Sequence, residues 1–249
     1  MKKVLLVLPV YNEEKVLERS VKRLTAYMSR NIDADWNIII ADNASKDSTA
    51  KIAKLIAAHN KKVKYSFIPE KGRGNALRKV WTSNKADAYA YCDIDLSTDI
   101  KSIKPMFDMI LNGSDIVIGN RYLKGSKASR KIDRLVLSKG YNTLVRIFFK
   151  TKITDFQCGF KAISARVAKE VIPHTISTNW FFDTEFLVLA ETAHKYQILQ
   201  IPVCWKEESQ MGDGRRSKVN KFDTIKEYIG WLYALRKRIR TEQQKRTHI

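Results

Sequence analysis

Two apolar runs, Val4-Leu-Leu-Val-Leu-Pro-Val10 and Asn37-Ile-Ile-Ile-Ala41, constrain the fold more than any other feature of the chain. Neither alternates polar with apolar residues, so each reads as a strand buried on both faces, and each is followed by a segment of helical periodicity. A doubly covered strand, a helix and another such strand make the βαβ unit of a parallel sheet. The rhythm continues with a strand from Val63 to Ile68, a helix from about Asn75, a strand Ala88 to Cys92, a helix Ile100 to Leu111 and a strand Asp115 to Gly119. The expected fold class is α/β, a mostly parallel mixed sheet with helices on both faces, whose ligands gather beyond the carboxyl ends of the strands.

Past residue 120 the rhythm loosens. Arg134 to Lys150 reads as a basic, aromatic helix, Phe181 to Ala193 as an apolar helix, and Ile198 to Trp205 as one late strand. In the last helix Phe222, Ile225, Ile229, Leu232, Leu235 and Ile239 recur at helical spacing, while Lys226, Arg236, Lys237, Arg238 and Arg240 carry charge. That pattern suits an element lying on a lipid interface, and equally one packed on the protein's own surface. With 249 residues and 44% hydrophobic content the chain can bury one large core. The expected division is a catalytic domain over residues 1–220 and a basic amphipathic helix and tail over 221–249.

The formal net charge is +20, and its placement is uneven. Residues 121–150 hold nine Lys/Arg against one acid, and residues 213–249 hold eleven against four, so 8 and 7 of the 20 excess charges lie there. Phosphate groups on a nucleotide, a lipid or a nucleic acid are the natural counterparts. Cys92, Cys158 and Cys204 lack the spacing of a disulfide framework or a zinc site, which fits a reducing compartment. The short run after Met1 does not read as a secretory leader, and the apolar stretch Tyr228 to Leu235 is far short of the roughly 18 residues of a membrane span. A cytoplasmic protein, peripheral on the cytoplasmic face of a membrane, is expected.

The strand ends carry acids: Glu13 and Glu14 after the first, Asp42 after the second, Asp93-Ile94-Asp95 after the fourth. Two carboxylates separated by one residue can hold a hard divalent cation, Mg²⁺ or Mn²⁺, which prefers oxygen ligands and bridges them to a diphosphate. An Asp-x-Asp alone is common and more often solvated; its convergence with Asp42 and Glu13 gives it weight.

Six segments then resemble a known family: Pro9-Val-Tyr-Asn-Glu-Glu14, Ala41-Asp-Asn-Ala-Ser-Lys-Asp-Ser-Thr49, Lys71-Gly-Arg-Gly-Asn-Ala76, Asp93-Ile-Asp95, Gly119-Asn-Arg121 and Asp155-Phe-Gln-Cys-Gly-Phe-Lys161. They are similar to inverting glycosyltransferases of family 2 with the GT-A fold. The Asp155 to Lys161 segment and Trp180-Phe-Phe-Asp-Thr-Glu185 look closest to the dolichyl- or polyprenyl-phosphate sugar synthases, dolichyl-phosphate glucosyltransferases above all.

The resemblance implies that Pro9, Tyr11, Glu13 and Asp42 cradle the nucleoside, with Asp42 accepting hydrogen bonds from the base. Lys71 and Ile94 lie near the donor, Asp93 faces the ribose and Asp95 the metal. Mannose-transferring relatives place a metal-touching Gln where this chain has Ser97. That departure weakens Ser97 as a ligand. The resemblance of the Asp155 to Lys161 and Trp180 to Glu185 segments to dolichyl-phosphate glucosyltransferases is what implies UDP-glucose or a related UDP-sugar, with GDP-mannose as the alternative donor. Arg216 and Lys218, with Arg215, resemble a basic loop closing over the diphosphate, although a solvated loop fits them as well. Arg121, Arg134 and Ser138 match the acceptor-phosphate positions. The implied partners are a nucleotide sugar, polyprenyl or dolichyl phosphate, an anionic membrane surface and a membrane-anchored subunit.

The chemistry of the residues agrees with this. A phosphate monoester is largely ionised at neutral pH and needs positive charge, not a base, before it attacks an anomeric carbon. A sugar-hydroxyl acceptor would instead require Asp155, Asp183 or Glu185 as general base, although ion pairing or capping suits Asp155 better. Two rival readings are weaker. Gly72-Arg-Gly74 approaches a dinucleotide fingerprint, but Leu77 stands at the third glycine and the loop follows the third strand. Nucleic-acid binding explains the charge and leaves the acidic strand ends unexplained, so no nucleic-acid partner is expected.

Overall fold

The computed structural model describes residues 1–129, 132–206 and 221–247. Its main sheet has seven strands: β1 (Lys3–Val10), β2 (Asp35–Asp42), β3 (Val63–Phe67), β4 (Ala88–Cys92), β5 (Ile116–Asn120), β7 (Phe160–Ser164) and β8 (Ile198–Pro202), in the order β3-β2-β1-β4-β7-β5-β8. All pairings are parallel except those of β7, which runs antiparallel between β4 and β5. A small second sheet pairs β6 (Lys127–Ser129) with β9 (Cys204–Lys206). The expected mixed α/β class is what the chain adopts. The single late strand expected from Ile198 to Trp205 is two strands in different sheets, β8 and β9, parted at Val203.

β1 shows why this core forms. Val4, Leu6, Leu8 and Val10 enter one apolar layer and Leu5 and Val7 the other, because successive side chains of a strand point to opposite faces. The first layer is closed by α1 (Leu17–Asn31), α2 (Thr49–His59) and α4 (Ile103–Leu111), the second by α3 (Arg73–Ser83), α6 (Ala165–Glu170) and α7 (Phe182–Thr192). In α1 the buried Leu17, Val21, Leu24 and Met28 follow the three- and four-residue spacing of one helix face. Truncating Leu24, which has no exposed surface, to Ala would cost about 2–5 kcal/mol.

Two further helices lie over the second layer. α5 (Ile132–Phe149) buries only Ser138, Asn142 and Val145. α8 (Lys221–Thr247) buries Leu232 and Leu235 in the same layer and packs Tyr228, Trp231 and Ile239 against it. Of the two placements open to the last helix, Leu232, Leu235 and Ile239 of its apolar row take the protein body, whereas Ile229 is exposed. Among the described residues, no helix is long and apolar enough to cross a membrane.

Candidate active site

Strand order reverses around β1, which has β2 on one side and β4 on the other, so the chain leaves their carboxyl ends in opposite directions and opens a crevice. The loops at this crevice brace one another. The Asn12 N–H donates to Ser45 Oγ (3.0 Å), the Lys46 N–H to Asn12 Oδ1 (2.7 Å), the Glu13 N–H to Thr49 Oγ1 (2.7 Å) and the Ser48 N–H to Glu14 Oε2 (2.9 Å). Each of the three loops also turns on a non-glycine residue in the left-handed region: Asn12 at φ 55°, Ala44 at 58° and Leu96 at 54°. Such turns cost on the order of 1–2 kcal/mol each and persist where surrounding contacts impose them, commonly at functional sites.

At the β1/β2 end, Tyr11 is 38% exposed and the Lys71 ammonium lies 4.8 Å from its ring centroid. Hydrogen bonding to Lys71 draws the Tyr11 phenol below its ordinary pKa. Pro9 is half-buried beside this pair. Asp42 departs from its expected role. It has no exposed surface, its Oδ1 accepts the Ser45 N–H at 3.0 Å and its Oδ2 the Tyr65 hydroxyl at 2.9 Å. Burial, followed by this bond to a carboxylate, pushes the Tyr65 phenol up to about 12. Asp42 therefore shapes the cradle from behind and offers a base no exposed oxygen. Next to it, the buried Asn43 Oδ1 lacks a partner among the described residues.

Asp93 and Asp95 follow β4, and Ile94 between them is buried. The Asp93 N–H donates to the Gly159 carbonyl (3.2 Å), and Asp95 Oδ1 accepts the Ser97 N–H (2.8 Å). Ser97 is itself buried, and its carbonyl accepts the Lys206 N–H of β9 (2.8 Å). Burial raises the Asp93 carboxyl to about 6; Arg73 opposes the rise, while Asp95 and Asp183 add to it. A half-buried carboxylate, its side chain 37% exposed, next to a second one suits a hard divalent cation. Among the described residues no cluster of three or more His, Cys, Asp or Glu could hold a metal, so a cation here would share two protein carboxylates with the phosphates of a ligand.

Behind Asp93 lies a buried polar network that sequence reasoning did not find. Arg73, in the first turn of α3, reaches Asp93 Oδ1 (3.4 Å), the Tyr91 hydroxyl (2.5 Å) and Asp183 Oδ2 (2.6 Å). Its guanidinium is 4.8 Å from the Tyr91 ring centroid and 4.6 Å from that of Trp180. Lys161, fully buried in β7, donates to the Cys158 and Phe156 carbonyls (2.6 and 3.0 Å) and lies 3.2 Å from Asp183 Oδ1. A lysine in a strand of otherwise buried residues was the available signal, because an ammonium is buried only with partners.

On the other flank, Arg121 does not present its fork to solvent as an acceptor site requires. Its Nε and Nη2 donate to Asp155 Oδ2 and Oδ1, both at 2.7 Å, and its backbone N–H to Oδ2 at 3.0 Å. Asp155 thus has the expected ion-pairing part, and Arg121 is its partner instead of a free anion ligand. Ser138 is buried too, accepting from the Tyr122 hydroxyl (2.7 Å) and donating to Gln157 Oε1 (3.1 Å). Arg134 is half-buried four residues before it on α5. The two flanks touch: the strap after Asp95 bonds to β9, and Trp205 of β9 lies 5.6 Å from the Arg121 guanidinium. The expected closing residues Arg216 and Lys218 lie outside the described residues.

A crevice at the β1/β4 switch point, lined by a carboxylate pair and braced loops, belongs to the nucleotide-sugar transferases of the GT-A fold. The chain belongs to glycosyl transferase family 2, whose sequence model matches residues 5–172. It is 32% identical over 231 residues to Glycosyltransferase AglD of Haloferax volcanii, covering 91% of this chain and 35% of that protein. To the dolichyl-phosphate beta-glucosyltransferase ALG5C of Trichomonas vaginalis it is 30% identical, covering 84% and 64%. To the human dolichyl-phosphate beta-glucosyltransferase it is 29% identical, covering 83% and 68%. The chain thus spans about a third of AglD and just under two thirds of ALG5C. Glucosyl-3-phosphoglycerate synthase of Mycobacterium tuberculosis, solved with Mn²⁺, UDP-glucose and phosphoglyceric acid, shares the fold with a TM-score of 0.65 at 16% identity, over 94% of this chain and 79% of that one.

Proposed function

We propose that this chain transfers a hexose, with UDP-glucose or a related UDP-sugar as donor, onto polyprenyl or dolichyl phosphate in one inverting displacement that yields a β-linked product. One observation carries the choice of acceptor: among the described residues, the three carboxylates weighed as general base, Asp155, Asp183 and Glu185, are already engaged. Asp155 is held by Arg121, Asp183 by Arg73, Tyr91 and Lys161, and Glu185 by the Ile176 and Ser177 N–H groups and Arg238. A neutral hydroxyl acceptor would need one of them free to take its proton. A phosphate monoester arrives ionised and needs none. The names of the dolichyl-phosphate beta-glucosyltransferases support the same acceptor and donor sugar.

In this reading Tyr11, Pro9, Glu13 and Lys71 take the nucleoside, with Asp42 fixing the turn behind them, and Asp93 meets the ribose. Asp95, with Asp93, holds Mg²⁺ or Mn²⁺. That cation, when bound, neutralises charge on the departing nucleoside diphosphate. Arg134 and the Tyr122–Ser138–Gln157 chain orient the acceptor phosphate, and Arg121 keeps the Asp155 to Lys161 segment in place beneath them. Arg216 and Lys218 supply positive charge to the diphosphate. The work takes place at the cytoplasmic face of an anionic membrane, where a membrane-anchored subunit assists.

The test is incubation with a panel of radiolabelled nucleotide sugars, polyprenyl phosphate and Mg²⁺ or Mn²⁺, followed by organic extraction. Label from a UDP-hexose should enter the organic phase. Label appearing on free sugars or glycans, with none on the lipid phosphate, would overturn the assignment.

A further inference from the structure

Helix α5 packs Val145, Tyr141, Phe148 and Phe149 on the core, yet keeps further apolar side chains outside. Two of its three buried side chains, Ser138 and Asn142, are polar, whereas Ile132, Val136 and Ile147 are 79%, 63% and 73% exposed. At about 100° per residue, Val136, Gly140 and Ile147 fall on the outward pole opposite Ser138 and Val145, with Leu144 beside them. The exposed Thr143 and Asp133 also lie on this side, Asp133 in the first turn. A solvated helix gains nothing from so many outward aliphatic side chains, and such a patch marks an interaction site.

The borders of the face indicate what covers it. Lys139 and Arg146, both exposed, line one edge. On the other edge Phe148 meets Tyr233 of α8, with ring centroids 5.0 Å apart, and the Arg236 guanidinium lies 4.7 Å from the Phe148 ring. Tyr233 is itself 62% exposed. Within α5 a single acid, Asp133, stands against Arg134, Lys139 and Arg146. An apolar strip edged on both sides by cations complements a layer that is apolar inside and anionic at its surface.

We propose that the outward face of α5, continued by Tyr233 of α8, seats the protein on an anionic lipid surface. Val136, Leu144 and Ile147 enter the boundary between headgroups and acyl chains, and Lys139, Arg146 and Arg236 meet the lipid phosphates. Leu232 and Leu235 of α8 are buried in the core and take no part. The inner side of α5 carries Ser138, so seating brings the acceptor side to headgroup depth; this consequence rests on the lipid-phosphate reading, whereas the surface itself does not.

The experiment is vesicle flotation of the full chain with phosphatidylcholine alone and with added phosphatidylserine, without nucleotide sugar or polyprenyl phosphate. The parent should float with the anionic vesicles. Val136→Ser and Ile147→Ser should each lower partitioning by about tenfold, from the loss of one buried aliphatic side chain, and melt with the parent. Leu55→Ser, at a 53% exposed site on α2, should float like the parent. A parent that stays behind, or a Val136→Ser/Ile147→Ser double variant that floats as well as the parent, overturns the proposal. Unchanged flotation with loss of self-association would assign the face to a second copy of the chain. Transfer to a short polyprenyl phosphate in detergent separates the two readings: if transfer proceeds and flotation fails, the surface is wrong, and if flotation depends on this face but no lipid phosphate is labelled, the acceptor is wrong.

Discussion

The Arg121 guanidinium and the Asp155 carboxylate form a buried two-pronged pair, with side chains 4% and 0% exposed. Burial alone would push the Asp155 carboxyl up, yet the charge and hydrogen bonds of Arg121 hold it below the usual carboxylate range. The pair braces the segment from Asp155 to Lys161, which carries Gly159 against Asp93 and Lys161 into the network behind it.

Removing one partner strands the other. Asp155→Asn should destabilise the fold by about 3–5 kcal/mol, because the Arg121 charge stays buried without compensation. A group whose folded pKa is depressed contributes stability that is present above its unfolded value, about 3.9, and is lost as pH falls through the folded value. Denaturant melts should therefore show the gap between parent and variant at pH 7 and its closure below about pH 4. A gap that persists in acid would mean that shape, and not ionisation, sets the cost.

Gly159 is glycine because Asp93 leaves no room for anything larger. A Cβ there would overlap the Asp93 carboxylate. Gly159→Ala should displace that carboxylate by enough to lower transfer about 100-fold, the usual cost of roughly 1 Å of misplacement. Nucleotide binding followed by calorimetry should weaken in parallel, while circular dichroism stays that of the parent.

For Asp95→Ala, transfer of label to lipid should be abolished while the melting curve changes little, since Asp95 is partly exposed and bonds the local Ser97 N–H. Chelation of divalent cations should reproduce the loss in the parent, with recovery on adding Mg²⁺ or Mn²⁺. Near-normal activity in Asp95→Ala would remove it from the metal site.

Much of this was legible in the sequence, for physical reasons. β1, β2, β4 and β5 are buried on both faces, so their apolar runs announce them, and the switch point and its acids follow from strand order. β7 was not legible. It is short, holds Lys161 in the core and runs against its neighbours, and none of these leaves a periodic trace. The motif around Arg73 was visible, but its part was not, because the residues that enclose it come from β4, β7 and α7. Likewise the basic segment over residues 121–150 pointed to anions, whereas the burial of Arg121 depends on Asp155, 34 positions away.

The last prediction concerns α8. Arg238 of α8 lies 2.9 Å from Glu185, whose carboxylate also accepts the Ile176 and Ser177 N–H groups. The Ser177 and Thr178 carbonyls in turn accept from Arg78 Nη2 and the Asn75 N–H, and Thr178 crowds Gly72, which has φ +134°. The last helix is thus two side chains away from the turn that carries Lys71 and Arg73. Arg238→Ala leaves Glu185 with its backbone donors but without its cation, so stability should fall by about 1–3 kcal/mol. If the chain of contacts matters for function, KM for the nucleotide sugar should rise several-fold, while KM for polyprenyl phosphate in detergent stays close to that of the parent. Glu185→Ala should do more, because it also strands the Ile176 and Ser177 N–H groups. Equal loss toward both substrates in Arg238→Ala would show that α8 supports the body as a whole and not the donor turn.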